Sequence, residues 1–327
     1  MSTAQTLQVR VAAKSVEALD IVTLELVAVD GKPLSAFSAG SHVDVMLPGD
    51  QGVPGITRQY SLCNDPKETH RYQIAVLRDP ASRGGSVAVH DRVNAGDVLQ
   101  ISAPKNHFGL AHDAKKHLLL AGGIGVTPIL CMAERLAQTG ADFQMHYATR
   151  APERTAFRAR IAASGFADRV QFHYDNGEAA QKLDLQVLLA KPAQGTHLYV
   201  CGPKGFMDAV LGSARAQGWP EGQLHYEFFG AAVASSESDA GFEVKLASSG
   251  RIIQIAKDKT VTKALAEAGV DILMSCEQGV CGTCLTRVIG GTPDHRDSYL
   301  TPEEQAANDQ FLPCCSRSKT PMLVLDL

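Results

Sequence analysis

Three cysteines, Cys276, Cys281 and Cys284, stand in one short stretch as C-x4-C-x2-C, and Cys314 follows with Cys315 beside it. This is the ligand spacing of a plant-type [2Fe–2S] centre, in which three thiolates from one tight loop and a fourth from elsewhere wrap two irons. Gly279 and Gly282 lie inside that loop. A backbone without Cβ can pass close to inorganic sulfide, so that amide N–H groups point at the cluster and help set its potential. The competing chemistries ask for other patterns. A structural zinc site calls for two C-x2-C pairs, and only one is present here. Disulfides belong to oxidising compartments, and the polar stretch Met1–Arg10 lacks the apolar core of a signal peptide.

Two further stretches carry residue types suited to anions and rings. Gly122, Gly123 and Gly125 lie between an apolar run and a helical pattern, followed by Thr127 and Pro128. Backbone without Cβ can lie against a pyrophosphate there, and the helix start offers free N–H groups. Pro128 stands where G-x-G-x-x-G has its last glycine, so on its own the turn could be a plain strand–helix connection. Cys201, Gly202 and Pro203 end a later strand, at the position where open α/β sheets bind ligands, and this strengthens the nucleotide reading. Earlier in the chain, Arg58, Tyr60 and Ser61 place a cation, an aromatic face and a hydroxyl on one segment, with Arg58 and Tyr60 on one side of a strand. Arg83-Gly84-Gly85-Ser86 would form a second anion-binding turn if it opens a helix. On composition alone, turn chemistry is the better reading of both segments. The 11 histidines are scattered without metal-ligand spacing. Cys63 and Cys131 read as core, and Asp294-His295 reads as a loop hydrogen bond rather than a catalytic dyad.

The elements that must position these residues fall into three sections. Residues 1–108 show short alternating strands between Gly and Pro punctuation, which predicts a small antiparallel barrel. Residues 109–230 alternate strand and helix: strands at Lys116–Ala121, Phe143–Ala148, Val170–Tyr174 and His197–Cys201, with helices at Ile129–Thr139, Ala156–Ser164, Asp184–Ala190 and Phe206–Gln217. That pattern predicts a doubly wound parallel sheet. Residues 231–241 are Ala/Ser-rich without periodicity and read as a flexible linker. Residues 242–327 form an α+β unit carrying the cysteines.

The 327 residues suit two or three domains, and 45% hydrophobic with 20% charged residues is ordinary for a globular protein. A net charge of −4 implies no polyanionic partner and disfavours nucleic acid. No apolar run reaches membrane-spanning length, so no membrane partner and a cytoplasmic location are expected. In a reducing compartment, 8 cysteines point to metal rather than to bridges.

Taken together and in this order, these pieces resemble the phthalate dioxygenase reductase family, which includes reductases of vanillate O-demethylases. The likeness covers essentially the whole chain. It is carried by Arg-x-Tyr-Ser-Leu at 58–62, Ala-Gly-Gly-Ile-Gly-Val-Thr-Pro at 121–128 and Tyr-Glu-Phe-Phe-Gly at 226–230. In the last section it rests on Cys-Glu-Gln-Gly-Val-Cys-Gly-Thr-Cys at 276–284, Asp-His-Arg-Asp at 294–297, and Cys-Cys-Ser-Arg with the ending Val-Leu-Asp-Leu. The resemblance implies an FMN-binding barrel, an NADH-binding α/β domain and a β-grasp ferredoxin domain. On it, Arg58 binds the flavin phosphate, Tyr60 stacks on the isoalloxazine, Ser61 sits near its N5, and Gly85 and Ser86 complete the phosphate site. Gly122, Gly123, Gly125 and Thr127 hold the pyrophosphate, Cys201-Gly202-Pro203 approach the nicotinamide, and Phe229 lies by the flavin. The fourth iron ligand is Cys314, because the family follows that cysteine with a variable residue, here Cys315, and then Ser-Arg. The implied function is the reductase component of a two-component aromatic oxygenase. Electrons pass from NADH to FMN to [2Fe–2S] and on to a partner with a Rieske centre and non-haem iron, and a monomer is expected. The alternatives are a redox-sensing flavin/iron–sulfur protein without turnover, or a reductase for an O-demethylase such as vanillate demethylase.

Overall fold

The computed structural model describes residues 6–49, 55–80, 82, 84–190, 193–229, 239–274, 279–280, 282–297 and 299–327. It divides into two units, 1–229 and 230–327.

The first unit opens with strands whose period-2 pattern is visible in their burial. In β1 (Thr6–Ala18), Val9 and Val11 are fully buried between exposed Gln8, Arg10 and Ala12. The following elements are β2 (Ile21–Ala28), β3 (Ser41–Leu47), β4 (Ile56–Ser61), β5 (Tyr72–Leu77), α1 (Gly85–Arg92), β6 (Val98–Ser102) and β7 (Lys105–Asn106). The strands form an antiparallel sheet of order β4-β3-β6-β1-β2-β5, with β7 beside β3. A bridge between Leu62 and Ile74 joins the two ends of that path and closes it into a barrel. Helix α1 lies against β3, β4 and β5. Its C-terminal carbonyls, Val89, His90 and Val93, accept from the Lys14 ammonium at 3.0, 2.6 and 2.7 Å.

The chain then switches to β8 (Lys116–Gly122), α2 (Val126–Thr139), β9 (Asp142–Thr149), α3 (Arg158–Ala162), β10 (Val170–Tyr174), α4 (Leu185–Leu188), β11 (Thr196–Gly202), α5 (Lys204–Ala216) and β12 (Leu224–Phe228). The five strands are all parallel in the order β10-β9-β8-β11-β12. β8 is nearly continuously apolar because both its faces are covered. The chain winds to one side through β9 and β10, then returns to the other side of β8 with β11. The switch point therefore lies between the C-terminal ends of β8 and β11.

Barrel and sheet share a core. Ile21, Cys63 and Ala75 of the barrel belong to one buried cluster with Leu130, Cys131 and Met132 of α2. Truncating a fully buried large side chain in such a seam costs about 2–5 kcal/mol. Polar ties add to the seam. The Leu19 N–H donates to the Glu153 carbonyl at 2.8 Å, and the Phe157 N–H donates to Glu17 Oε1 at 2.8 Å. The latter explains a shifted boundary. The sequence predicts a helix from Ala156, but Phe157 is held at φ 60° by Glu17, and α3 begins only at Arg158.

The second unit contains β13 (Phe242–Leu246), β14 (Ile252–Ile255), α6 (Val261–Glu267), β15 (Thr286–Gly290), β16 (Pro293–Asp294), α7 (Pro302–Ala307), β17 (Gln310–Phe311), β18 (Arg317–Ser318) and β19 (Met322–Leu325). Its mixed sheet runs β14-β13-β19-β15-β17, with the central β13–β19 pair parallel, and α6 packs on it. Asp239, read from composition as part of the linker, accepts from Arg296 at 2.9 and 2.5 Å and is 7% exposed. Residues 231–238 lie outside the described residues.

Candidate functional site

In β4 the register sets Arg58 opposite Val45 and Tyr60 opposite Val43, so both side chains share one face of the sheet. Tyr60 packs on the barrel core, and burial pushes its phenol up to about 12, against the pull of Arg58, so it stays neutral. Arg58 lies across the start of α1. A Cβ at Gly85 would come within 2.6 Å of Arg58 Cγ and 3.0 Å of its Nε. Gly84 makes the turn at φ 89°. The guanidinium donates to the Thr57 carbonyl at 2.8 Å, which sets a cation beside a helix start, a combination that can take an anion. The Ser86 hydroxyl, at the same helix start, donates to Ser82 Oγ at 2.9 Å and accepts from the Asp79 N–H at 3.2 Å. Arg83 lies outside the described residues.

Ser61 lies on the opposite face from Tyr60, paired with His42. It donates to Glu227 Oε2 at 3.5 Å, and His42 Nδ1 lies 4.0 Å from Glu227 Oε1. Glu227 stands at the C-terminal end of β12, its side chain 18% exposed, and burial pushes its carboxyl up to about 8. A carboxyl that keeps its proton at neutral pH thus faces the hydroxyl beside Tyr60. Sequence reasoning missed Glu227 and His42. The available signal was an acid inside the aromatic strand Tyr-Glu-Phe-Phe. Phe229, 42% exposed, follows two residues on.

At the switch point the two predicted loops meet. A Cβ at Gly125 would fall on the Cys201 carbonyl, and one at Gly122 would come within 2.7 Å of the Phe206 ring and 3.0 Å of Pro203 Cδ. Gly202 packs 2.8 Å from the same ring by the same measure. These three glycines therefore let two backbones cross. Gly123, at φ 53° with nothing within 4 Å, faces open space and leads into α2. Thr127 is buried and donates to the Ile124 carbonyl at 3.1 Å, which closes the first turn. Cys201 is fully buried, and desolvation raises its thiol well above the usual range. Its backbone, not its sulfur, faces the loops.

In the second unit, Cys284, Cys314 and Cys315 are buried in one cluster with Leu300 and Leu312, and no disulfide joins these three to one another. Cys276 and Cys281 lie outside the described residues. Gly279 and Gly282 adopt φ 73° and 71°, a region that favours glycine. A Cβ at Gly279 would land on Cys315 Sγ, so Gly279 is seated on the turn that carries Cys314. Cys315 itself donates to the Leu312 carbonyl at 3.6 Å and lies 3.7 Å from Ser316 Oγ. A glycine pressed onto a buried turn of two cysteines, with Cys284 in the same cluster, fits a thiolate-bound cluster. Asp294 and His295 do not bond to each other: Asp294 accepts from Arg296 at 2.9 and 2.7 Å. Among the described residues neither ring nitrogen of the buried His295 side chain has a hydrogen-bond partner, and Nδ1 lies 3.6 Å from Asp297 Oδ1.

Comparison with known proteins gives the same division. Residues 244–319 match a family model described as a 2Fe-2S iron-sulfur cluster binding domain, and residues 102–224 match the N-terminal domain of dimethylamine monooxygenase subunit DmmA-like proteins. The vanillate O-demethylase oxidoreductase of Pseudomonas putida is 54% identical, over 97% of this chain and 98% of its own. The phthalate dioxygenase reductase of Burkholderia cepacia is 38% identical over 98% and 97%. A solved structure of a phthalate dioxygenase reductase, described as modular for electron transfer from pyridine nucleotides to [2Fe-2S], superposes with a TM-score of 0.77 at 38% identity, covering 98% of each chain. Similarity of this extent, end to end and across both units, makes the chain a member of the phthalate dioxygenase reductase family of oxidoreductases.

Proposed function

We propose that this chain is the NADH-dependent reductase component of a two-component oxygenase and hands single electrons to a partner with a Rieske centre and non-haem iron. Identity of 54% to a vanillate O-demethylase oxidoreductase, against 38% to a phthalate dioxygenase reductase, favours a partner that removes methyl groups from an aromatic ether. The observation that carries the reading is the co-occurrence in one chain of a barrel anion site, a nucleotide crevice and a buried cysteine turn. Among the described residues no helix is long and apolar enough to cross a membrane, in keeping with a cytoplasmic place.

The groups this reading needs are FMN, NADH and a [2Fe–2S] cluster. The chemistry they supply when bound is the conversion of a hydride, two electrons at once, into single electrons for the acceptor. Arg58 with the N–H groups of α1 would hold the flavin phosphate, flanked by Gly85 and Ser86, and Tyr60 would offer its ring face. Ser61 and the neutral carboxyl of Glu227 would keep a proton beside the bound flavin, and Phe229 would border it. Gly122 to Thr127 and the start of α2 would take the pyrophosphate, opposite Cys201, Gly202 and Pro203. Cys276, Cys281, Cys284 and Cys314 would supply four thiolates. A protein outlet near −400 mV suits a Rieske acceptor at higher potential.

The test is turnover. The purified protein should reduce cytochrome c rapidly with NADH. Cys314→Ala should lose that activity while still reducing ferricyanide, which a flavin can serve directly. Bound cofactors without turnover would instead mark a redox sensor.

A further inference from the structure

The two glycines of the ligand loop are each covered from the same short segment. Behind Gly279 stands Asp297: a Cβ on the glycine would lie 3.0 Å from Asp297 Cα and 3.1 Å from its Cβ. Over Gly282 lies the ring of Tyr299, whose hydroxyl would come within 2.7 Å of a Cβ there. The two coverings differ in character. The Asp297 side chain is 0% exposed. Its carboxylate accepts the Leu300 N–H at 2.9 Å and the Ser316 hydroxyl at 3.4 Å, and Ser316 follows Cys314 by two residues. Asp297 is thus tied to the turn of the fourth cysteine as well as packed against Gly279. Tyr299 is 39% exposed, with the hydroxyl end of its ring against Gly282.

We propose that Asp297 and Tyr299 are positioning residues that brace Gly279 and Gly282 and set the reduction potential of the cluster bound beside them. This rests on the reading that the second unit carries a [2Fe–2S] centre. An electron added to such a centre raises its negative charge. A buried acceptor-only carboxylate nearby opposes that charge, whereas water would stabilise it. Asp297 and Tyr299 therefore act in the same direction, the one by charge and the other by excluding solvent, and both hold the potential low. A low potential is what an electron donor to an oxygenase needs.

The experiment uses the full-length holoprotein. Iron and sulfide are assayed first, and the cluster is then titrated anaerobically with dithionite and followed by its paramagnetic resonance signal. Asp297→Asn keeps the shape and hydrogen-bond acceptor and removes the charge. Tyr299→Ala opens the loop to water, and Tyr299→Phe keeps the ring. Asp297→Asn and Tyr299→Ala should each favour reduction by about tenfold, which is 59 mV upward for one electron. Tyr299→Phe should stay at the parent value. Parent potentials in both Asp297→Asn and Tyr299→Ala would overturn the proposal, as would an equal shift in Tyr299→Phe and Tyr299→Ala. If Asp297→Asn fails to retain the cluster, the comparison of the two Tyr299 variants decides. A parent protein without iron and sulfide would instead sink the underlying reading and leave no potential to measure.

Discussion

Replacing Glu227 by glutamine should make the protein more stable and flatten its pH profile. The carboxyl sits near 8 in the folded chain against an ordinary 4.5. Below about 4.5 both folded and unfolded chains hold the proton, and the group is neutral to stability. As pH rises from there the unfolded chain ionises first, so stability falls until the folded carboxyl also ionises near 8. At pH 7 those two values correspond to a penalty of about 3 kcal/mol. Glutamine keeps the acceptor for Ser61 and removes the penalty. For a unit of 229 residues, 1 kcal/mol moves the midpoint by about 2–4 °C, so Glu227→Gln should gain roughly 6–12 °C at pH 7 and little at pH 4.5. Activity should move the other way. Loss of a proton-bearing partner beside Ser61 should slow NADH-driven flavin reduction roughly tenfold at pH 7. Flavin reduction in the parent should decline above pH 8 as Glu227 ionises, and that decline should be absent from the variant. The assays are calorimetry across pH and rapid-mixing absorbance under anaerobic conditions. A variant with a lower midpoint than the parent, or with the same alkaline decline, would refute the reasoning.

Three other perturbations follow from the geometry. Arg58→Ala removes the cation over α1, and charge-assisted hydrogen bonds of about 1.5–3 kcal/mol predict flavin retention weakened roughly ten- to a hundredfold, readable by fluorescence of released FMN. Unchanged retention would place the phosphate elsewhere. Gly125→Ala drives a Cβ onto the Cys201 carbonyl; it should raise KM for NADH strongly while flavin content holds, and an unaltered KM would mean the two loops do not form the crevice. Cys315→Ala should keep the visible spectrum of the cluster, whereas Cys314→Ala should lose it. The reverse pattern would exchange the roles of the adjacent cysteines.

Much of the architecture could be read from local pattern. The alternation around Val9 and Val11, the apolar run of β8 and the cysteine spacing each encode their element within a few residues. What could not be read depends on contacts between distant positions. Ser61 and Glu227 are 166 positions apart and meet only because β12 ends against the barrel. The glycines at 122–125 read equally well as room for a ligand or room for a neighbour, and Gly122 and Gly125 make room for the loop after β11. The start of α3 is delayed by Glu17, from the opposite end of the first unit. The pairing of Asp294 with Arg296 in place of His295 likewise needed the fold, since Asp239 draws the same guanidinium into position.

The most direct test of electron flow is anaerobic mixing of the reconstituted protein with NADH while flavin and cluster absorbance are followed together, after iron, sulfide and FMN have been assayed. One FMN and one [2Fe–2S] cluster per chain, with flavin bleaching first and the cluster bleaching from it, is the expected result. A preparation that takes up neither group, or a cluster that NADH reduces equally well after the flavin is stripped, would contradict it.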